Sequence, residues 1–261
     1  MDAKPLIVAA HKLFVGLPEA VSFSQALLGA LQTRPLSLDV VVSPSLINLA
    51  HVTDVLRGSP VAVAAQNVHQ EGRGAFTGQV CLEELIGLGV KYVVVGHTEV
   101  LAQGRECVET LARKIRWCVR HEVRPIVFLT DQGPPADVPG ATITDTLARL
   151  YEGGLGAEPL HAVPVIVYEP SSSSLCDTAQ GRLQVRQVIR GIRGQAAALL
   201  GSCATSPPRV LYGGGVTSGN ISILWRELEA DGFLVGRAGT QISSFLSILD
   251  AAHEASALSR Q

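Results

Sequence analysis

Charge is scarce in this chain: charged residues make up 17% of its 261 residues, and the net charge is −2. A net charge this small provides no electrostatic surface for nucleic acid or an anionic membrane, so neither is expected as a partner. Hydrophobic residues make up 47% of the sequence. This composition buries enough apolar surface to fold, which excludes an intrinsically disordered chain.

Cysteine pairs and long hydrophobic runs are also missing. The five cysteines are an odd number and form no Cys-x-x-Cys motif, which argues against a disulfide framework or a zinc site and favours a reducing compartment. No stretch approaches the about 18 apolar residues of a membrane-spanning helix. The apolar run near the N-terminus is too short for the core of a signal peptide. We therefore expect a soluble, cytoplasmic protein without a structural metal.

What the sequence does contain is a series of short apolar runs rich in β-forming residues. Nearly all of them are continuous in apolar character, which is typical of parallel strands that are covered on both faces. The segments between them repeat apolar residues at spacings of three and four, which predicts helices. The predicted strands are Leu6–Ala10, Leu38–Ser43, Val61–Ala65, Tyr92–Gly96, Pro125–Thr130, Val163–Tyr168, Val210–Gly213 and Phe233–Gly236. The predicted helices are Pro18–Gln32, Glu106–Val119, Gly181–Leu200 and Ile221–Ala230.

The alternation of strands and helices predicts an α/β protein with a parallel sheet. The length of 261 residues matches a single (β/α)₈ barrel, for which about 250 residues are typical. An open, doubly wound sheet is the structural alternative. The first strand is not followed by a Gly-x-Gly-x-x-Gly motif, which weakens the dinucleotide-binding version of that fold. We predict one barrel domain over residues 1–261 with eight parallel strands.

Polar residues with complementary chemistry follow three of the predicted strands. Lys12 follows the first, His97 the fourth and Glu169 the sixth. Alone, each has an ordinary interpretation, as a solvated charge, a structural histidine or a carboxylate at a helix N-terminus. In a parallel barrel, however, all strand ends meet at one mouth, which is where active sites lie. A carboxylate that takes a proton from carbon, an imidazole that polarises oxygen and an ammonium that holds an anion favour proton transfer beside a carbonyl.

Longer motifs identify a family. Ala64–His69, Gly74–Gly78 and Leu88–Glu99 resemble the third and fourth βα units of triosephosphate isomerase. The sequence Tyr168-Glu169-Pro170 resembles the catalytic-glutamate motif of that family. Leu211–Val216 and Asp231–Gly236 resemble its seventh and eighth strand ends. The resemblance covers the whole chain in order and implies a TIM barrel.

The resemblance also implies a reaction and a site. The family interconverts dihydroxyacetone phosphate and glyceraldehyde 3-phosphate without a metal or an organic cofactor. Triosephosphate isomerase is itself the type example of a glutamate base beside a neutral histidine. The resemblance makes Glu169 the base, His97 the electrophile, Lys12 the cation and Glu99 a further catalytic residue. It implies a homodimer in which the loop at Thr77 enters the partner subunit. The candidate phosphate-binding residues are Gly213, Gly214, Gly215, Gly236, Arg237 and Ser174.

The chain departs from the family at the substrate site. Ala10 stands where the family has an asparagine, and His11 stands where it has an aromatic residue. The sixth loop, Ser171–Thr178, lacks the glycines that offer N–H groups to the phosphate, and Gly215 replaces a serine.

Two further departures lie at the eighth strand end and at the subunit interface. Arg237 replaces a glycine. Its side chain either contacts the phosphate or points outward to a carboxylate of Glu229 or Asp231. Gln79 and Val100 replace a carboxylate and an arginine that pair across the interface. Because both members of the pair are gone, no unpaired charge is left buried there.

Three functions remain open at this point. The first is ordinary triosephosphate isomerase activity on a small phosphorylated sugar, and the second is isomerase activity on a different one, such as a tetrose phosphate. The third is a catalytically weakened barrel with a binding or regulatory role. The joint presence of Lys12, His97, Glu99 and Glu169 favours an enzyme.

Overall fold

The computed structural model describes residues 4–104, 106–131, 143–152, 155 and 159–258. Eight parallel strands pair in sequence order, and the last pairs with the first to close a barrel. This closure confirms the predicted TIM barrel and excludes the open sheet. The strands are β1 (Leu6–Ala10), β2 (Asp39–Ser43), β3 (Val61–Ala65), β4 (Tyr92–Val95), β5 (Arg124–Leu129), β6 (Val165–Tyr168), β7 (Arg209–Tyr212) and β8 (Gly232–Val235).

Helices follow the strands and form the outer layer. None of the described helices is long and apolar enough to cross a membrane. The helices are α1 (Leu17–Thr33), α2 (Leu49–Leu56), α3 (Leu82–Leu88), α4 (Thr98–Leu101), α5 (Val108–Arg120), α6 (Ile143–Leu150), α7 (Ala179–Leu200), α8 (Ile221–Leu228) and α9 (Ile242–Leu258). Short 3₁₀ turns lie at Leu46–Asn48, Leu175–Asp177, Gly201–Cys203 and Arg237–Thr240.

Two hydrophobic cores follow from the two-residue repeat of the strands. On β1, Leu6, Val8 and Ala10 pack inside the barrel. The intervening Ile7 and Ala9 pack outward with the helices, because successive side chains of a strand point to opposite faces. Since both faces of each strand are buried, the strands appear in the sequence as continuous apolar runs.

The barrel closes at a glycine that no other residue can replace. Gly232 starts β8 with φ 153°, and a Cβ built on it would lie 1.9 Å from the carbonyl oxygen of Leu6. The backbones of β8 and β1 are therefore in direct contact at this point.

The predicted element bounds are correct to within two residues, and two of the differences have a clear local cause. Strand β4 ends one residue early because Gly96 takes φ 74°. Helix α8 ends at Leu228 because Glu229 turns left-handed at φ 57°. The single domain over residues 1–261 stays a prediction, since part of that range lies outside the described residues.

Candidate active site

Lys12 is held at the end of β1 by its backbone and by an ion pair. Its φ of 48° is left-handed, a conformation that is uncommon for a residue with a side chain. Its carbonyl oxygen accepts a hydrogen bond from Nε2 of Gln66 at 3.0 Å. Its ammonium lies 2.6 Å from Oε1 of Glu99. The backbone turn thus directs the cation across the mouth towards the end of β4.

His97 is a neutral imidazole with a defined tautomer. Its pKa is lowered from 6.5 to about 4, chiefly by burial and also by the ammonium of Lys12, while the carboxylate of Glu99 opposes this shift. The backbone N–H of Glu99 donates to Nδ1 at 3.2 Å. A nitrogen that accepts a hydrogen bond carries no proton, so the proton of the neutral ring is on Nε2. Nε2 is buried and has no partner among the described residues, which leaves this N–H available to a ligand.

Glu169 follows β6, where its backbone N–H donates to the carbonyl oxygen of Leu129 at 2.9 Å. Burial raises the pKa of its carboxyl group, and the charge of Glu99 adds to the rise. The hydrogen bond from Thr98 and the charge of Lys12 oppose it. The hydroxyl of Thr98 donates to Oε2 at 3.1 Å. A carboxylate whose pKa is raised by burial is a stronger base than an exposed one.

A cavity of about 430 Å³ opens beside these residues, on the side of the mouth formed by β1 to β4. Its wall is mostly apolar with a few polar groups, as is typical of small-molecule sites. It is lined by Ala10, Lys12, Leu13, Phe14, Ser43, Gln66, Asn67, Val94, His97, Glu99, Val100, Gln103, Phe128 and Leu234.

The glycines of the seventh loop lie on the opposite side of the mouth. A Cβ on Gly213 would lie 3.0 Å from Val167, and one on Gly214 would lie 2.5 Å from the hydroxyl oxygen of Tyr212. Gly215 has φ 56°. Little or no room exists for side chains at the first two positions, so the backbone itself forms this surface.

The chain is similar to known proteins over nearly its whole length. A family model of triosephosphate isomerase matches residues 5–252. The chain is 32% identical over 249 residues to the triosephosphate isomerase of Chloroflexus aurantiacus, covering 94% of this chain and 98% of that protein. It is 33% identical over 248 residues to that of Citrifermentans bemidjiense, with the same coverage of 94% and 98%. The protein belongs to the triosephosphate isomerase family.

The sixth loop is held at both of its ends by side chains of neighbouring elements. At its start, the backbone N–H and the hydroxyl of Ser171 donate to the carboxylate of Asp131 at 2.8 and 2.9 Å. At its end, Arg182 on α7 donates to the carbonyl oxygen of Cys176 at 2.9 Å. Between these anchors Ser174 is exposed, and its hydroxyl lies 2.9 Å from that of Ser172.

Arg237 does not form the outward ion pair that the sequence left open. Asp231 pairs with Arg193 and Glu229 pairs with Arg190. The guanidinium of Arg237 instead lies 5.3 Å from the ring centroid of Phe14, within the range of a cation–π contact. Because Phe14 lines the cavity, this contact brings the charge to the rim of the site. The neighbouring Gly236 has open space around its Cβ position.

Thr77 lies on an exposed loop, where the backbone N–H of Gln79 donates to the carbonyl oxygen of Phe76 at 3.0 Å. Val100 is placed separately, in the wall of the cavity. Thr77 and the interface it is expected to form stay predictions.

A buried network behind the third loop was not predicted from any sequence pattern. The ammonium of Lys114 pairs with the carboxylate of Glu106, and the two side chains are only 5% and 7% exposed. Lys114 also donates to Oδ1 of Asn67 at 2.8 Å. The network fixes Asn67 in the cavity wall. Thr98, the hydroxyl partner of Glu169, was also missed as a site residue, although its position next to His97 was a usable signal.

Proposed function

We propose that this protein is an aldose–ketose isomerase that interconverts dihydroxyacetone phosphate and glyceraldehyde 3-phosphate. The observation that carries the proposal is the set of protonation states at the mouth. Glu169 is a half-buried carboxyl group with a raised pKa. His97 is neutral, with its pKa lowered to about 4 and its Nε2–H free among the described residues. Lys12 supplies a positive charge that pairs with Glu99 and also acts on the carboxyl group of Glu169.

These states suit proton transfer through an enediolate. Glu169 takes a proton from the carbon next to the carbonyl, and the released electron pair forms the carbon–carbon double bond. The carbonyl oxygen gains negative charge, which the Nε2–H of His97 and the ammonium of Lys12 stabilise. Glu169 then returns the proton to the neighbouring carbon, and a proton moves between the two oxygens. The formula of the sugar is unchanged, so the reaction consumes no oxidant, reductant or second substrate.

The phosphate belongs where the seventh and eighth loops border the cavity, since Arg237 of the eighth loop lies against Phe14 in the cavity wall. The exposed backbone of the seventh and eighth loops offers N–H groups to an anion. Arg237 adds a positive charge at the rim, and Ser174 adds a hydroxyl from the sixth loop. The proposed phosphate-binding residues are Gly213, Gly214, Gly215, Gly236, Arg237 and Ser174.

The proposal includes a homodimer and a cytoplasmic location. Large apolar side chains are exposed on the loops after β1, β2 and β3, which favours a second subunit there. All five cysteines are free thiols, which favours a reducing compartment.

The test is a coupled assay of the purified protein with glyceraldehyde 3-phosphate, in which dihydroxyacetone phosphate is measured. The matched control is Glu169→Gln, which keeps the shape of the side chain but removes the base. We expect turnover by the native protein and a loss of roughly 100-fold or more in the variant. Binding of the sugar phosphate without turnover by the native protein would show a binding or regulatory barrel instead.

A further inference from the structure

The cavity wall contains a buried hydroxyl that the proposed triose reaction does not use. Of the polar atoms lining the cavity, Nε2 of His97 and Oγ of Ser43 are buried without a hydrogen-bond partner among the described residues. The reaction accounts for His97. It does not account for Ser43, and a buried hydroxyl without a partner is costly and uncommon in folded proteins. This hydroxyl therefore points to a ligand group.

Ser43 lies next to a gap in the wall. It is the last residue of β2 and is in register with Ala10, the last residue of β1. Ala10 and Val41 pack inside the barrel. Because strand side chains alternate, Ser43 shares the inward face of Val41. The methyl group of Ala10 leaves the wall beside Lys12 open, and the hydroxyl of Ser43 is on the neighbouring strand.

The other polar side chains in this part of the wall are already engaged. Nε2 of Gln66 donates to the carbonyl oxygens of Lys12 and Ser43 at 3.0 and 3.1 Å. Asn67 is bonded to Glu106 and Lys114. In this part of the wall, the hydroxyl of Ser43 is thus the polar group that remains to bind a ligand atom at the ends of β1 and β2.

We propose that the same site also isomerises four-carbon sugar phosphates, with the additional hydroxyl-bearing carbon against Ala10 and its hydroxyl bonded to Oγ of Ser43. The inference rests on the proposed function and extends its range of substrates. An additional CHOH group has two non-hydrogen atoms, which at about 30 Å³ for each water-sized group need about 60 Å³. The cavity of about 430 Å³ contains that room. The chemistry is the same proton transfer between adjacent carbons, so no further reactant is needed.

The experiment compares kcat/KM for glyceraldehyde 3-phosphate and erythrose 4-phosphate in four proteins: the native chain, Ser43→Ala, Ala10→Asn and the control Ser24→Ala. Ser24 is a buried serine on α1 whose hydroxyl bonds to the carbonyl oxygen of Ala20 at 2.8 Å, away from the cavity. We expect the native protein to convert both sugars. The loss of one hydrogen bond in Ser43→Ala should lower the ratio of tetrose to triose kcat/KM about three- to tenfold.

Ala10→Asn should lower the same ratio at least as much, because the larger side chain occupies the gap. Ser24→Ala should leave the ratio unchanged. Conversion of the triose but not the tetrose by the native protein would overturn this inference and leave the proposed function intact. A ratio that is unchanged in both Ser43→Ala and Ala10→Asn would overturn it as well. Conversion of neither sugar would instead overturn the proposed function.

Discussion

At Glu169, we expect the position of one carboxyl group to determine the rate of the proposed reaction. Its backbone is fixed by the bond to Leu129 and its carboxylate by the hydroxyl of Thr98. Glu169→Asp withdraws the carboxylate by about one carbon–carbon bond, and a displacement near 1 Å costs on the order of 100-fold in rate. We expect kcat to fall by that factor while the thermal unfolding temperature changes little. An unchanged kcat with the best substrate would show that Glu169 is not the base.

His11 makes the fold sensitive to acid. It is fully buried against Phe23, with ring centroids 4.6 Å apart, and neither ring nitrogen has a partner among the described residues. Burial lowers its pKa from 6.5 to about 4. Between these values the unfolded chain binds a proton that the folded chain does not, so stability present at pH 7 is lost as the pH falls through this window. At pH 5 the loss amounts to about 2 kcal/mol.

The variant His11→Phe has no group to titrate at this position. We expect its unfolding temperature to fall less than that of the native protein between pH 7 and pH 5. The measurement is thermal unfolding at both values. Equal falls in the two proteins would exclude His11 as a source of the acid sensitivity.

Arg237 places a positive charge at the rim of the mouth, after β8. Its guanidinium is held over Phe14 at the rim of the cavity and has no carboxylate partner among the described residues. If the charge anchors the phosphate, Arg237→Gly raises KM at least tenfold, since a charge-assisted hydrogen bond contributes roughly 1.5–3 kcal/mol. Sulfate binding should weaken in parallel, as measured by calorimetry. Tighter sulfate binding and a higher kcat in the variant would show that the side chain obstructs the site.

At the scale of elements, helix α7 fixes the end of the sixth loop through Gly181. A Cβ at this position would lie 1.7 Å from the carbonyl oxygen of Leu175, in the loop. Gly181→Ala therefore displaces the loop or the helix, and we expect a lower unfolding temperature and a lower kcat/KM. Gly194 on the same helix has open space at its Cβ position, so Gly194→Ala should stabilise the protein by about 0.5–1 kcal/mol. Similar behaviour of the two variants in unfolding and kinetic measurements would contradict this view of the loop.

The strands could be predicted from the sequence because a strand buried on both faces must be a continuous apolar run. The catalytic candidates could be predicted because strand ends meet at one mouth. The bonds from Ser171 to Asp131 and from Lys114 to Asn67 could not. They join residues from separate elements, and only the closed barrel brings those residues together. The Ser43 hydroxyl is buried without a hydrogen-bond partner among the described residues because of how the surrounding side chains pack. This packing likewise leaves no pattern in the sequence.

At the scale of the whole molecule, one side of the mouth is apolar and exposed. Leu13 is 89% exposed and Ile47 is 80% exposed, which is unfavourable for large side chains that face water. We expect a homodimer through this surface at micromolar concentration, measured by sedimentation. The exposed side chains on this surface are Leu13, Phe14, Leu46, Ile47 and Phe76.

The variant Ile47→Glu places a charge in this surface and should give a monomer. The matched control is Leu199→Glu on α7, which packs between α6 and α8 and therefore lies on another part of the barrel. It should remain a dimer. A native protein that sediments only as a monomer would refute the predicted assembly.

The left-handed backbone of Lys12, at φ 48°, limits how far this protein can be stabilised without loss of its chemistry. A side chain in this conformation costs on the order of 1 kcal/mol or more. Glycine would remove that cost, but it would also remove the ammonium that reaches Glu99. A laboratory selection for thermal stability alone should therefore favour glycine at this position. The selected protein should unfold at a higher temperature but lack the proposed isomerase activity. Any such selection must include turnover to keep the lysine.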